Sequence, residues 1–474
     1  MATPNTHFGE SRIRKIMQEA KNKDIFFIGA GGIMMSSLAL LTKRAGYSTI
    51  GSDRVRTALT ERLESEDIKI FYGHSEENVG NNCGAVIYTV AISSENPEYS
   101  LAQRLGIPCI SRADYLGYIM TEYKNRIGIA GMHGKSTCTS MCAQIFLDSA
   151  NRGKTSVPTI VSGAEYAPMG GAYHIGEQEH FIFEACEYMD SFLDFNPNIA
   201  ILLNAEMEHV DYFKSIEQIQ DSFRSYAALA GENGTVIYNV DDKNIQRSVE
   251  GLKTELISFG LSEKADFRAV DIHTDTYPMS FDIIFKNQPF ANIEIPATGV
   301  HNIYNALAAV AAAHCCSVCV DDIKTGLADF KGAKRRMEYK GDILGAKIYD
   351  DYGHHPTEVS ATLIGVKNAI SGRLVCVFQP HTYSRAAALA DKFKTAFDSA
   401  DLVIMSDIYA AREINSYGIS SEKIAKLIGD KAIYGGDIDS TADALIQNIR
   451  NGDTVVIMGA GDIYKIYGKL GMER

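Results

Sequence analysis

The chain lacks any surplus of positive charge: 46 lysines and arginines stand against 59 aspartates and glutamates, a formal net charge of −13. That balance argues against broad contact with nucleic acid or an acidic lipid surface. It also lacks a regular disulfide framework, since nine cysteines are scattered through 474 residues. Such usage points to a reducing compartment, the cytoplasm. The polar N-terminus shows no apolar signal-peptide core. Two uncharged runs come nearest to a membrane span, residues 25–42 and 301–320. The first is broken by Gly29, Gly31 and Gly32, and the second holds His301, Asn302, Asn305 and His314. Both are marginal in length and are expected to be buried elements of a soluble α/β protein, with no membrane insertion. No repeat of fixed period and no low-complexity linker is present.

What is there is ordinary globular material, 46% hydrophobic and 22% charged, long enough for two to four domains. The strongest signal is Asn125 to Met141. A short apolar strand ends at Ala130. Gly131-Met132-His133-Gly134 follows, then Lys135-Ser136-Thr137, and then helical apolar spacing. Strand, glycine loop, Lys-Ser and helix is the layout of a nucleotide-phosphate cradle. Backbone N–H groups approach phosphate oxygens, the helix N-terminus adds its positive end, the lysine bridges the outer phosphates, and the Ser136 hydroxyl suits Mg²⁺. The usual eight-residue spacing wants glycine where Ile129 stands, so this is a short variant, Gly-x-x-Gly-Lys-Ser.

Taken in order, Asp24–Ile28 reads as a strand, followed by Gly29-Ala-Gly31-Gly32-Ile33-Met34 and a helix to about Ala45. A second strand ends in Asp53. This imitates a dinucleotide fingerprint, but Met34 takes the place of its third glycine. It is weak evidence for NAD and better evidence for some nucleotide diphosphate. Strands at 68–71, 85–89 and 108–110 complete a small doubly wound domain ending near Thr121. The phosphate loop opens a second domain, with strands at 181–184, 199–203 and 234–238. Residues 265–296 alternate as a small antiparallel insertion, and an Ala-rich helix starts near His301-Asn302. A third domain begins near Lys334, with strands at 347–349, 374–378, 402–405, 432–434 and 454–458 alternating with helices. The expected divisions are 1–121, 122–333 and 334–474, each on a mostly parallel sheet.

Polar clusters fall at strand ends. Glu184-Ala-Cys186-Glu187 offers Mg²⁺ a carboxylate at Glu184, the alternative being a solvated acid at a loop start, which weighs more for Glu187 than for Glu184. His209-Val-Asp211-Tyr212 follows Asn204-Ala-Glu206-Met-Glu208, and a second Mg²⁺ between His209 and Glu184 is expected. Asp350-Asp351-Tyr352-Gly353-His354-His355-Pro356-Thr357-Glu358 enters a helix at Pro356. Its histidine pair lacks the His-x-x-x-His spacing of helical zinc ligands and has no cysteine nearby, so substrate contact is expected there. His381 and Arg385, after another strand, suit a carboxylate or phosphate. Cys315, Cys316 and Cys319 read as core thiols, and Gly459-Ala-Gly461 as a closing turn.

Together these residues resemble the Mur ligase family over nearly the whole chain, from the turn near Gly29 to that near Gly459. Gly131-Met132-His133-Gly134-Lys135-Ser136-Thr137 is similar to the family's Gly-Thr-His-Gly-Lys-Thr-Thr, departing at Met132 and Ser136. Glu184-Ala-Cys186-Glu187 resembles its Glu-Ala-Asp-Glu, with Cys186 for aspartate. His301-Asn302-x-x-Asn305 resembles the stretch that reaches adenine and phosphate, and Arg335-Arg336 the arginine pair opening the last domain. Asp350–Glu358 and Phe378-Gln379-Pro380-His381 mark the alanine-adding branch, with Thr382 where that branch usually has arginine. The murein-peptide recycling branch shares His-His-Pro-Thr but not the second motif.

The resemblance implies three domains: one for a UDP sugar, a central P-loop ATPase domain, and one that closes over both. The implied substrates are UDP-N-acetylmuramate, L-alanine and ATP with Mg²⁺ (or Mn²⁺), acting on a monomer or homodimer. Gly31, Gly32, Ile33, Met34, Asp53 and His74 are implied at the UDP sugar. Gly131, His133, Gly134, Lys135, Ser136, Thr137, His301, Asn302, Asn305, Arg336 and Asp351 are implied at ATP, with Asp351 on its ribose. Ser136, Glu184 and His209 are implied at the metal, and Lys135, Glu184, His209, His355, His381 and Arg385 in catalysis. Three rivals stand beside this: an NAD-dependent oxidoreductase, which leaves Gly131–Thr137 unexplained; a non-catalytic nucleotide-binding relative; and the same chemistry with another amino acid or peptide.

Overall fold

The structure, a computed structural model, describes residues 9–89, 92–209, 212–411 and 413–472. Asp211 of the His-Val-Asp-Tyr motif lies outside the described residues. The strands fall into three sheets.

The first sheet is wholly parallel, in the order Lys69–Tyr72, Ser48–Asp53, Asp24–Ile28, Cys83–Tyr88, Cys109–Ser111. Its chain order reverses beside Asp24–Ile28, where a doubly wound sheet opens a crevice at its carboxyl edge. The glycine turn and Asp53 sit at that edge.

The second sheet has ten strands. Asn125–Ala130 lies between His180–Glu184 and Ile199–Leu202, parallel to both. Beyond Ile199–Leu202 come Thr235–Asn239 and Glu255–Gly260, also parallel. The alternating region at 265–296 forms Phe267–His273, Met279–Phe285 and Gln288–Ile295, antiparallel to one another as expected. It is not a separate insertion: Phe259 pairs with Phe267 and Gly260 with Arg268, so these strands extend the main sheet. Helices Lys135–Asn151 and Val300–Cys315 pack together over one face, and most of their residues are buried. Both suspected membrane runs are thus a strand–turn–helix unit and a core helix. No helix among the described residues is long and apolar enough to cross a membrane.

The third sheet runs Glu338–Ile343, Ala346–Asp351, Thr454–Met458, Leu374–Phe378, Leu402–Ser406, Ala432–Gly436, antiparallel only in its first pair. Four strands escaped the sequence reading: Thr159–Tyr166, Gly171–His174, Glu255–Gly260 and Glu338–Ile343. Three of these lie at or next to sheet edges, where half-exposed residues and Gly163 or Gly341 blur the alternation. The core-thiol reading also needs correction, since Cys319 is exposed and Cys315 and Cys316 are only half-buried. Cys319 stands at the start of helix Val320–Ala328, not within a helix face.

Gly128 shows how tightly the central sheet is packed. A Cβ there would lie 2.5 Å from the Phe183 ring and closer still to the Tyr226 hydroxyl, and both side chains are fully buried. Gly128→Ala is expected to cost about 1–3 kcal/mol in urea unfolding through overpacking.

Candidate functional site

Parallel pairing of Asn125–Ala130 with its two neighbours brings three strand exits to one edge: the loop after Ala130, the acids after Phe183 and the segment after Leu202. The loop turns through Gly131 (φ +155°) and Gly134 (φ +84°), and Gly134 begins helix Lys135–Asn151. Gly134 also faces the Asn305 side chain, leaving no room for a Cβ. Asn305 donates to Asn302 Oδ1 (3.1 Å) and Asn302 to Thr298 O (2.8 Å), so the start of helix Val300–Cys315 abuts the loop. His301 is exposed on the same helix turn.

Lys135 Nζ donates to Gly131 O (2.6 Å) and pairs with Glu187 Oε2 at 2.8 Å. The other oxygen of Glu187 meets His209 Nε2 at 3.0 Å. Glu187 is 1% exposed. Burial opposes both charges, but the pairing wins: Lys135 is raised by Glu187, and Glu187 is lowered by Lys135 and His209. The direct hydrogen-bond partner of His209 is therefore Glu187, while Glu184 lines the same cleft. Glu184 closes its strand pointing sideways and accepts the Gly163 N–H at 2.8 Å. Glu187, three residues on, turns back over the loop and is buried, so the solvated-acid alternative does not hold for it.

Asn204 brackets the loop from the neighbouring strand exit. Its Oδ1 accepts the His133 N–H (2.8 Å) and its Nδ2 donates to His133 O (2.9 Å). Sequence reasoning had not given it this task. The available signal was its place just beyond a strand parallel to the one that enters the loop. Asn204→Ala removes both bonds, each about 1 kcal/mol or more when a buried partner is stranded. We expect ATP affinity to fall roughly tenfold while the unfolding slope m stays unchanged, checked by calorimetry and urea titration.

The His133 imidazole lies between Glu206 Oε1 (2.5 Å from Nε2) and Glu358 Oε1 (3.1 Å from Nδ1). Burial works against its charge, but Glu358, Glu206 and Glu208 raise it to about 10. Glu358 comes from the third sheet's side of the molecule. Pro356 opens helix Pro356–Ala369, His355 caps it, and Glu358 completes a capping box by accepting the His354 and His355 N–H groups (3.0 and 3.3 Å). The fully buried His355 ring stacks on His133 with centroids 5.0 Å apart, and burial, with the His133 charge, pushes it down to about 4. Arg336 Nη1 approaches Glu358 at 3.7 Å. Arg385 Nη2 and His354 Nε2 reach Glu208 at 3.2 and 3.7 Å. Burial, followed by the charges of His354 and Arg385, pushes His381 down to about 4. Thr382, which replaces the usual arginine, has φ +58°, an uncommon conformation for a β-branched residue, and begins helix Tyr383–Ala396.

A cleft of about 600 Å³ separates the loop from the last sheet. Of the sequence-selected residues, His133, Gly134, Lys135, Ser136, Glu184, His209 and Arg336 line it. Gly131, Thr137, Asn302 and Asn305 build the cradle behind these, while His355, His381 and Arg385 stand in the charge network beside it. Asp351 is different. Its oxygens accept the Met337 and Gly353 N–H groups (3.0 and 2.8 Å), and burial, against Arg336, raises it to about 6. Each oxygen thus takes one N–H group of the protein's own backbone. Glu206, Glu208, Glu358, Tyr352 and Arg335 are additional members. Arg335 also donates to Gly459 O at 2.6 Å, which ties the closing turn to the site.

The first-domain residues gather apart from this cleft's lining. Gly32 precedes helix Ile33–Arg44, Ile33 is 38% exposed, and Met34 is half-buried. Asp53 Oδ2 accepts the Gly31 N–H at 2.8 Å. His74 Nδ1 lies 2.8 Å from the buried Glu98.

Comparison with known proteins agrees along the whole chain. Three family profiles match: Mur ligase family, catalytic domain (residues 24–124), Mur ligase middle domain (129–313) and Mur ligase, glutamate ligase domain (335–461). The UDP-N-acetylmuramate–L-alanine ligase of Caldanaerobacter subterraneus subsp. tengcongensis is 42% identical over 450 residues, 94% of this chain and 96% of that one. The protein of the same name from Acetivibrio thermocellus is 41% identical over 456 residues, 95% and 96% of the two chains. Among solved structures, the UDP-N-acetylmuramate–alanine ligase of Thermotoga maritima shares the fold, with TM-score 0.75, 24% identity and coverage of 95% and 98%. A murein peptide ligase from Psychrobacter arcticus gives TM-score 0.66, 22% identity and coverage of 95% and 99%.

Proposed function

The chain belongs to the Mur ligase family, and on that premise we propose that it joins L-alanine to the carboxylate of UDP-N-acetylmuramate, cleaving ATP to ADP and phosphate. The observation that carries this reading is the meeting of two segments over one loop. Lys135 and His133 stand on the phosphate cradle, and Arg336, His354 and Glu358 face them from the last sheet.

The muramoyl carboxylate attacks the γ-phosphorus, and ADP leaves with the electron pair of the broken bond. The alanine amine then attacks the carbonyl of the acyl phosphate, and phosphate departs. Lys135 meets the charge on the transferring phosphoryl group. Arg385, His381 and His355 orient the carboxylate and the amine, and closure keeps the acyl phosphate from water. No covalent protein nucleophile is needed, because positioning and charge neutralisation supply the rate.

Magnesium fits the residues present: a hydroxyl at Ser136 and a carboxylate at Glu184 in one cleft are hard oxygen donors, with His209 beside them. Bound there, it would neutralise phosphate charge. Residues 1–121 hold the UDP sugar, 122–333 ATP, and 334–474 the amino acid, with a monomer or homodimer acting in the cytoplasm.

The test is phosphate release from ATP and Mg²⁺ with UDP-N-acetylmuramate, with and without L-alanine. Release that needs both, with the mass of the alanyl product, is the expected result. Release driven better by glycine or serine would move the specificity, and ATP binding without release under any pairing would favour a non-catalytic relative.

A further inference from the structure

Three side chains outside the magnesium set converge where the phosphate loop meets helix Pro356–Ala369. His133, Glu206 and His355 each offer one ligand atom, and these atoms lie within 4.8 Å of one another. Glu206 Oε1 is the common neighbour, 2.5 Å from His133 Nε2 and 3.6 Å from His355 Nδ1. We propose that His133, Glu206 and His355 form a site for a divalent transition-metal ion of the zinc type, which pins the phosphate loop to the last domain and arrests turnover. The arrest rests on the ligase reading; the ion site does not.

Two imidazoles and a carboxylate are a zinc-like donor set, and Mg²⁺ prefers oxygen and water. Around a tetrahedral ion the ligand atoms stand roughly 3.4 Å apart, so Glu206 must turn outward from His133 and the separations, all within 4.8 Å, must draw toward that value. The surrounding contacts are already those of a metal centre. A ligating histidine normally gives its other nitrogen to a carboxylate, and His133 Nδ1 lies 3.1 Å from Glu358 Oε1. The second oxygen of Glu206 is fixed by the Thr357 hydroxyl at 3.0 Å. His355 is fully buried, and among the described residues its Nε2 has no hydrogen-bond partner and its Nδ1 meets only a long 3.4 Å contact from the Thr357 N–H besides Glu206. The lone pair on Nδ1 is engaged only by that long capping bond, which an ion would replace. The three ligands come from loop 131–134, the segment after Leu202 and the 350–358 motif, so no spacing in the sequence announces them.

The probe is Co²⁺, followed by its visible d–d absorption on the full chain in excess Mg²⁺. One equivalent should bind with the intense band of a four-coordinate ion, and Zn²⁺ should displace it. Glu206→Gln should weaken binding at least 100-fold, and Glu358→Gln by about 10–100-fold as a loss of second-sphere support. Glu184→Gln should leave the band in place. Affinity unchanged in Glu206→Gln, or a band lost in Glu184→Gln alone, overturns the site. Should the variants not fold, X-ray absorption of the zinc-loaded unmodified chain decides: two imidazoles support the site, and one or none overturns it. With alanine-dependent phosphate release established, micromolar Zn²⁺ should stop it at saturating Mg²⁺. Undiminished release with the band present removes the arrest, whereas absence of release without zinc counts against the ligase reading alone.

Discussion

Lys135→Ala should lower turnover by at least 10³-fold, equivalent to about 4 kcal/mol of lost transition-state stabilisation. The ammonium stands at the mouth of the loop, 13% exposed, with Glu187 as its carboxylate partner. Phosphoryl transfer places charge on oxygens in the cradle, and the other lysine lining the cleft among the described residues, Lys334, is held by Glu165 at 2.5 Å. The substitution has a second effect that must be separated from the first. It strips Glu187, 1% exposed, of its cation and leaves only His209. Breaking a buried pair in this way typically costs about 3–5 kcal/mol of stability. The double variant Lys135→Ala/Glu187→Gln should therefore recover much of the unfolding free energy in urea without recovering turnover. Near-normal phosphate release in Lys135→Ala would sink the phosphate-cradle assignment.

Raising the pH from 6.5 to 9 should cost the fold about 3 kcal/mol through one histidine, roughly half of it by pH 8, with about 1 kcal/mol returned below pH 8 by His355 and His381, which burial pushes down to about 4. The group responsible is His133, held up to about 10 by Glu358, Glu206 and Glu208 against the cost of burial. The sign follows from proton binding. Below the unfolded value near 6.5 both states carry the proton, and the contribution is fully present. Above it the unfolded chain releases the proton while the folded chain keeps it, so stability falls until the folded value is passed. In His133→Gln the downward slope between pH 6.5 and 8 should vanish or turn slightly upward, because the buried neutral histidines then set the sign. Above about pH 8.5 buried thiols such as Cys109, pushed up to about 11 by burial, add loss of the same sign. An equally steep slope in the variant would place the effect elsewhere.

Much of this architecture was legible because the chemistry sits at strand ends. Loop Gly131–Thr137, Glu184 and His209 were each found from a strand followed by a polar cluster, Arg336 came from the family resemblance, and His133, Gly134, Lys135, Ser136, Glu184, His209 and Arg336 line one cleft. What was not legible depends on contacts between distant segments. Glu187 looks like any acid after a strand until Lys135 and His209 are placed around it. Glu206 and Thr357 touch across 151 residues of chain, and Glu358 reads as a capping residue whose second oxygen happens to face His133. Asp351 has a local task its motif did not announce: nearby backbone N–H groups bond to each of its oxygens. Sheet edges were lost because half-exposed strands do not keep a clear alternation.

The bracket of Asn204 on both polar groups of the His133 backbone bears on how such a loop can evolve. A loop splinted through its main chain does not depend on the adjacent side chain to keep its curve. Met132, where the family pattern has threonine, is 5% exposed and packs into the core. Position 132 is thus open to drift under packing constraints, while a change at 204 alters the loop directly. Libraries that randomise both positions should recover many apolar residues at 132 and almost none but asparagine at 204.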